Sequence, residues 1–335
     1  MKKVLSVFLV LLVLLSMAPC ALASTPNPIP VIEKKDLSPT PKGIHHYMLI
    51  CIDSWAADMK NLEGNHTDGL ILVTIDEYAK RVMLTSFIRD MLIMRPDGKF
   101  GRINNFLDKN GWASQNKKSG EQALQALVET INTHFDLQIE KFIVVDFKQV
   151  ENIINAVGGV DISITSREAN YLRNYSISSA STTPVLGGSG TYHFSGHAAV
   201  IYMRIRKIRT EEYLHADGKV YADTQDYGRT YRDRKVLSSI ADSLKDITYE
   251  DALKLLDVII SNTVYTNMST DEMLSAVDLA MDLRGVPVEH IRMPVEGTFE
   301  EFPYSSMATK QIDFLANRAA LRNFMLDSFV VVDDE

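Results

Sequence analysis

An α/β domain, with a central mixed β-sheet flanked by helices (α-β-α) and a helical C-terminal part, is the architecture this chain predicts. Three observations carry it. Short Ile- and Val-rich runs end in aspartate, stretches of helical period separate those runs, and 46% hydrophobic residues over 335 positions suffice for one large core. No internal repeat and no second linker divide it further.

Residues 1–23 read as a secretory signal peptide or a retained membrane anchor. Lys2 and Lys3 precede an uncharged apolar run, and Ala21-Leu22-Ala23 fits the small-x-small cleavage pattern. Either reading places the bulk of the chain outside the cytoplasm, secreted or held at the outer face of the membrane. Residues 24–44 contain five prolines and no apolar period, which predicts an extended tether. Ordered structure is expected from residue 45 to 335. "YMLICID" and "GLILVTID" read as strands, and "RVMLTSFIRD" follows the second after a short turn as a hairpin. "SGEQALQALVETINTHF" has helical spacing with Ser119 placed as its cap. "KFIVVDF" then reads as a buried strand, "KQVENIINAVGG" as a helix closed by glycines, and "VDISIT" as another strand. From Arg167 to Gly190 the composition turns to Ser, Thr and Gly, which predicts a long surface loop. A short helix after Ser195, a longer one over 227–245 and three more over 249–261, 270–283 and 314–328 complete the expectation, with "VEHIRMPV" as a late strand.

A formal net charge of −8 argues against nucleic acid as a partner. Against that background two basic stretches stand out, "YMRIRKIR" at 202–209 and "QDYGRTYRDRK" at 225–235. In an extended "YMRIR", Arg204 and Arg206 share one side while Met203 and Ile205 face the core. Arg229 and Arg232, three apart, share a helix face, and Gly228 would let an anion approach the free N–H groups of the first turn. Converging guanidinium groups match phosphate oxygens. The rival reading is a solvated helix face with pairs such as Arg229 with Asp233. Asp53 ends one strand, Asp68 begins the next and Asp90 follows Arg89 at the end of a third. These are ordinary turn positions. Projecting from one sheet edge opposite the arginines, they would instead suit a divalent cation bridging to phosphate. Cys51 is the only cysteine outside the leader, so no internal disulfide is expected. Gly158-Gly159 lacks the lysine of a P-loop, and His45 and His46 read as solvated.

The order of these pieces resembles the LytR–CpsA–Psr family of extracytoplasmic phosphotransferases. "CIDSW", "HTDG", "SFIRD", "RIN", "GGVDI", "FSGHAAVIYMRIR" and "DYGRTYRD" match its motifs in sequence, across a motif-bearing core at 46–245, with 246–335 as a helical C-terminal extension. The resemblance implies transfer of a glycopolymer, teichoic-acid-like or capsular, from an undecaprenyl diphosphate carrier to peptidoglycan. Hydrolysis of the carrier and non-catalytic binding of polyprenyl phosphate or anionic wall polymer are the alternatives. By position, the resemblance implies Asp53 and Asp68 as ligands of Mg2+ (or Mn2+). It implies Arg89, Arg102, Arg204, Arg206, Arg229 and Arg232 as the diphosphate grip, and Asp226, or else Asp90, beside Arg89 as the group accepting the acceptor's proton. The chain departs from the family at Trp55 and His66, where basic residues are usual, at Ile88 in place of proline, and at Asp233 in place of glutamine. A polyprenyl carrier also needs an apolar channel, for which "ENIINAV", "ALQALV" and "VLSSIADSL" offer helix faces.

Overall fold

The structure, a computed structural model, describes residues 25–60, 62–175, 182–183, 186–214, 218–304 and 308–326. The leader expected at 1–23 lies outside them. Strands β1 (Ile44–Ile52), β2 (Thr67–Asp76) and β3 (Arg81–Phe87) form an antiparallel meander, with the expected hairpin between the second and third. Next come a small hairpin of β4 (Leu92–Met94) and β5 (Phe100–Arg102), then helices α1 (Trp112–Asn116) and α2 (Gly120–Phe135). The Ser119 side chain caps α2 and Gln122 returns the bond, a reciprocal capping box. β6 (Lys141–Asp146) adds to β1 in parallel and runs into α3 (Phe147–Ala156). A separate three-stranded sheet follows, built from β7 (Val160–Ile164), β8 (Thr182–Thr183) and β9 (Gly190–Phe194), with α4 (Ser166–Arg173) between its first two strands.

Helix α4 corrects the expected surface loop: Thr165 and Glu168 cap it reciprocally, while Ala169 and Leu172 bury one face. The chain continues through α5 (Gly196–Met203), a hairpin of β10 (Tyr213–Leu214) and β11 (Val220–Tyr221), and the long α6 (Gln225–Ser243). Helices α7 (Tyr249–Ser261) and α8 (Thr270–Asp282) flank β12 (Tyr265–Thr266). β13 (Val288–Met293), the hairpin of β14 (Phe299–Glu301) and β15 (Lys310–Ile312), and α9 (Phe314–Leu326) end the described chain.

The central sheet is mixed, in the order β12-β6-β1-β2-β3-β13. Its two outer strands come from the part expected to be a helical extension, so residues beyond 245 complete the sheet rather than append to it. Alternation along β1 separates two layers. Met48, Ile50 and Ile52 face a core shared with Leu124, Leu127 and Phe135 of α2 and Phe314 and Leu321 of α9. Leu49 and Cys51 face the other way, toward α3, α5 and α6. A second core under those helices joins Ile154, Ile162, Phe194, Tyr202 and Val236.

The proline-rich segment is also corrected. It lies along the first layer rather than extending freely: Ile29 is buried in the core, the Ile32 N–H donates to the Thr133 carbonyl at 3.0 Å, and Arg318 donates to the Pro30 carbonyl. His46, expected to be solvated, bonds the Thr74 hydroxyl at 3.0 Å.

Candidate functional site

β1, β3 and β6 run in the same direction, so Asp53, Arg89 and Phe147, which follow their C-terminal ends, collect at one sheet edge. β2 runs the other way and begins there, which brings Asp68 beside them although a long loop separates it from Asp53. The two strands close tightly at this edge. Gly69 pairs with Cys51, and a Cβ on Gly69 would lie 2.7 Å from the Cys51 Cβ, so a side chain at 69 would force the edge apart. Between the sheet and helices α3, α5 and α6 lies a cavity of about 370 Å³. Asp53, Asp68, Arg89, Arg204, Arg206 and Arg229 border it, as do the apolar Val150, Ile201, Val236, Leu237 and Ile240. A cationic end and an apolar channel are therefore one continuous space.

The cations are held in place by a network. Arg89 is bonded to the Asp68 carboxylate. Arg229 reaches the same oxygen at 2.9 Å, while the Asn104 amide donates to the other at 2.8 Å. Burial pushes the Asp68 carboxyl up, but Arg229, Arg89 and the Asn104 bond outweigh it and hold the group at about 2. Burial likewise lowers the Arg229 guanidinium, yet Asp226 and Asp68 more than reverse that, so its charge is secure. Arg229 thus pairs with Asp68 and Asp226 rather than with Asp233.

Arg204 is held differently. Its guanidinium lies over Phe147 at 4.6 Å and Trp55 at 5.8 Å, and among the described residues it has no carboxylate partner. The two rings are themselves packed at 5.4 Å. Aromatic faces fix a guanidinium without occupying its N–H donors, so Arg204 faces the cavity uncommitted. It is not on an extended strand, as the sequence pattern suggested: it closes the C-terminus of α5 in helical backbone. Ile205 is nonetheless buried and Arg206 borders the cavity.

Several expected site residues stand elsewhere. Arg232 is fully buried, at 0% side-chain exposure. Its Nε donates to Glu168 at 2.7 Å, and its terminal nitrogens donate to the carbonyls of Ile205, Gly228 and Ile208 at 2.8–3.0 Å. All three nitrogens donate to the protein and the side chain is wholly buried, so Arg232 is a strut beneath the segment that carries Arg204 and Arg206 rather than a group facing the cavity. Gly228 serves the same packing: a Cβ there would lie 3.0 Å from the Asp223 carbonyl and 3.2 Å from Arg232. It admits no anion.

Asp226, expected to accept a proton, is only 3% exposed and does not border the cavity. Its carboxylate lies 3.2–3.7 Å from Arg229, Arg89 and Arg206, and it accepts the Arg89 backbone N–H at 3.2 Å. It braces three cations. Asp90 is bonded to Arg102, and neither residue borders the cavity.

Asp53 and Asp68 do border one space. The Asp53 carboxylate has no partner among the described residues, whereas that of Asp68 is engaged by two guanidiniums and an amide. Among the described residues no group of three or more His, Cys, Asp or Glu side chains forms a closed cage.

The departures noted in the sequence resolve into places. Trp55 is part of the ring pair under Arg204, His66 lies 3.1 Å from Asp108, Ile88 is core, and Asp233 borders the cavity. Of the three helix faces offered as a channel, only the one starting at Val236 lines it: "ENIINAV" contributes Ile154 to the second core while Val150 just before it borders the cavity, and "ALQALV" packs on the opposite side of the sheet. Tyr171 and Tyr175 also border the cavity, and they were missed because the first lies in the unexpected α4 and the second just beyond its end. Their spacing of four, beside the apolar pair Ala169 and Leu172, was the available signal.

A model of the LytR_cpsA_psr family matches residues 48–321. Biofilm regulatory protein A of Streptococcus mutans is 26% identical over 238 residues, 68% of this chain and 50% of that protein. The polyisoprenyl-teichoic acid–peptidoglycan teichoic acid transferase TagV of Bacillus subtilis is 23% identical over 216 residues, 64% of this chain and 48% of that protein. The chain spans about half the length of these curated relatives. Among solved structures, TagT bound to LIIa-WTA gives a TM-score of 0.61 at 18% identity, covering 84% of this chain and 91% of that one. B. subtilis TagV gives 0.60 at 20%, covering 86% and 98%. At such identities these structures establish the fold, the mixed sheet between helices.

Proposed function

The chain belongs to the LytR–CpsA–Psr family, and from that premise we propose that it is an extracytoplasmic phosphotransferase. It moves a glycopolymer from a polyprenyl diphosphate carrier to peptidoglycan. One observation carries the reading: the cavity joins a cluster of guanidiniums to an apolar channel without a break, the two halves of a lipid diphosphate. The transferase activity in the name of the TagV relative agrees with it.

In this reading the prenyl chain lies against Val236, Leu237, Ile240 and Ile201. Arg204 meets the diphosphate first, since its donors are uncommitted, and Arg206 and Arg229 complete the grip. An acceptor hydroxyl oxygen attacks the glycan-side phosphorus, the anhydride P–O bond breaks, and polyprenyl monophosphate leaves with the bonding electrons, the hydroxyl proton passing to the departing phosphate. Phosphoryl transfer of this kind is driven chiefly by positioning and charge neutralisation. Asp68 and Asp226 act by holding Arg89 and Arg229 rigid before substrate arrives.

The donor set fits a divalent ion. Asp53 offers an open carboxylate and Asp68 a second at the same end, and Mg2+ ordinarily takes one or two carboxylates and completes its sphere with water and substrate phosphates. Bound there, Mg2+ would neutralise charge on the diphosphate.

The test is incubation of the full chain with a polyprenyl-diphosphate-linked glycan and peptidoglycan fragments, the products read by mass spectrometry. Glycan joined to peptidoglycan through a phosphodiester is expected. Release of free glycan phosphate alone would make the protein a hydrolase, and intact donor would make it a binder.

A further inference from the structure

Helix α6 turns a single stripe toward the cavity: Arg229, Asp233, then Val236, Leu237 and Ile240. These positions recur at the helical period, so the stripe passes from a cation through a carboxyl to apolar side chains. Asp233 is one turn, about 6 Å along the axis, from Arg229. It therefore marks the neck where the cationic end becomes the apolar channel.

Asp233 is 7% exposed, and among the described residues its carboxyl takes no hydrogen bond and no ion pair. Buried polar groups are normally satisfied, so an unpartnered carboxyl bordering a ligand cavity points to a partner that arrives with the ligand. On its own helix it faces Arg229, Asp226, Arg232 and Arg234, and on β1 it faces Cys51. Arg232 is committed to Glu168, and Arg234 is bonded to the Ser86 hydroxyl. Arg229 is shared between Asp68 and Asp226. Asp68 from β2 and the guanidiniums of Arg89, Arg204 and Arg206 border the same cavity. An ionised Asp233 would set a negative charge against the incoming phosphate in a site of low polarity, whereas a neutral carboxyl has an O–H to donate.

We infer that Asp233 is a headgroup-binding residue that works in its neutral form, donating its carboxyl O–H to the lipid-proximal phosphate at the neck of the channel. The inference rests on the lipid-phosphate reading of the cavity. The electrostatics agree with it: burial raises the Asp233 carboxyl and Asp226 adds to that against the pull of Arg229, leaving the group at about 7. Binding then takes up a proton above that pH, and affinity falls as the free protein loses it, by at most about tenfold per pH unit.

The experiment is titration of the full chain with farnesyl diphosphate between about pH 6 and 9, with Asp233→Asn and Asp233→Gln in parallel. The ligand's own ionisation affects all three proteins alike and cancels in the ratio of dissociation constants. Wild-type affinity should fall relative to both variants by about tenfold or more from pH 7 to 9. A ratio that stays constant with pH in a folded variant overturns the role of Asp233 while leaving the lipid site standing. Absence of binding by all three proteins at every pH overturns the reading of the cavity itself, and this inference with it.

Discussion

Replacing Arg232 by methionine separates an arginine that builds the site from those that use it. Its guanidinium is wholly buried, ion-paired to a Glu168 that is itself buried, and bonded to three carbonyls. Methionine fills the stem volume but removes the donor to the Glu168 Oε1, whose other oxygen stays bonded to Thr165, and the donors that Arg232 supplies to those carbonyls. Removing one member of a buried, hydrogen-bonded pair costs about 3–5 kcal/mol. For a domain of this size each kcal/mol lowers Tm by roughly 2–3 °C, so a fall of about 6–15 °C is expected in a thermal melt followed by circular dichroism. Two of the lost bonds end on Ile205 and Ile208, which flank Arg206, so polyprenyl phosphate affinity should fall as well, through disorder of that segment. Arg204→Ala is the contrast. Among the described residues its side chain has no ion pair to lose, and the variant should melt within about 2 °C of wild type while binding lipid phosphate more weakly. If Arg232→Met kept the wild-type Tm and still lost binding, Arg232 would be a ligand contact and the strut argument would be wrong.

Trp55→Ala removes one of the two rings under Arg204. A cation–π contact at a partly exposed site is worth about 0.5–1 kcal/mol, so affinity for polyprenyl phosphate should weaken about two- to fivefold and Trp55→Phe should restore most of it. Equal loss in both variants would count against ring stacking. His134 donates from Nδ1 to the Thr130 carbonyl and accepts the Met94 N–H on Nε2, a neutral arrangement, and burial lowers it from 6.5 to about 4. An unfolded chain binds that proton more readily, so this stabilisation is whole above pH 6.5 and lost as pH falls toward 4. It amounts to up to about 3 kcal/mol in urea unfolding, and His134→Gln should flatten the slope in that window. An unchanged slope would mean another group governs it. Asp53→Asn should raise the Mg2+ concentration needed for half-maximal diphosphate binding by about tenfold, read by calorimetry. No shift would place the ion elsewhere.

Much of the sheet could be read from local pattern. Ser119 before an apolar helical period, the short turn between β2 and β3, and the aspartates closing β1 and β6 are features in which neighbours in sequence are the neighbours that matter. Helix α4 was hidden because only Ala169 and Leu172 are apolar on its buried face, and its start is marked by the pair Thr165 and Glu168 rather than by an apolar run. The proline-rich segment was misread for a different reason. What pins it is Arg318, whose bond to Pro30 spans 288 residues and leaves no trace in local composition.

The site shows the same division. Spacing placed Arg229 and Arg232 on one helix, but it does not say which way the helix faces. Here the stripe through Arg229 and Asp233 meets the cavity, and Arg232 turns toward the carbonyls of Ile205 and Ile208. Asp226 was expected to act on a proton because its type and position allowed it; local pattern does not show that Arg229 one turn along its own helix, with Arg89 and Arg206 from other segments, would surround it away from the cavity.

The central claim is that arginines from separate segments and an apolar channel form one pocket for a prenyl diphosphate. Calorimetric titration of the full chain with farnesyl diphosphate, beside Arg204→Ala/Arg206→Ala and the exposed-site control Arg284→Ala, tests it most directly. One ligand per chain is expected for wild type and control, with binding at least about a hundredfold weaker in the double variant. Equal affinity in all three proteins would contradict the account.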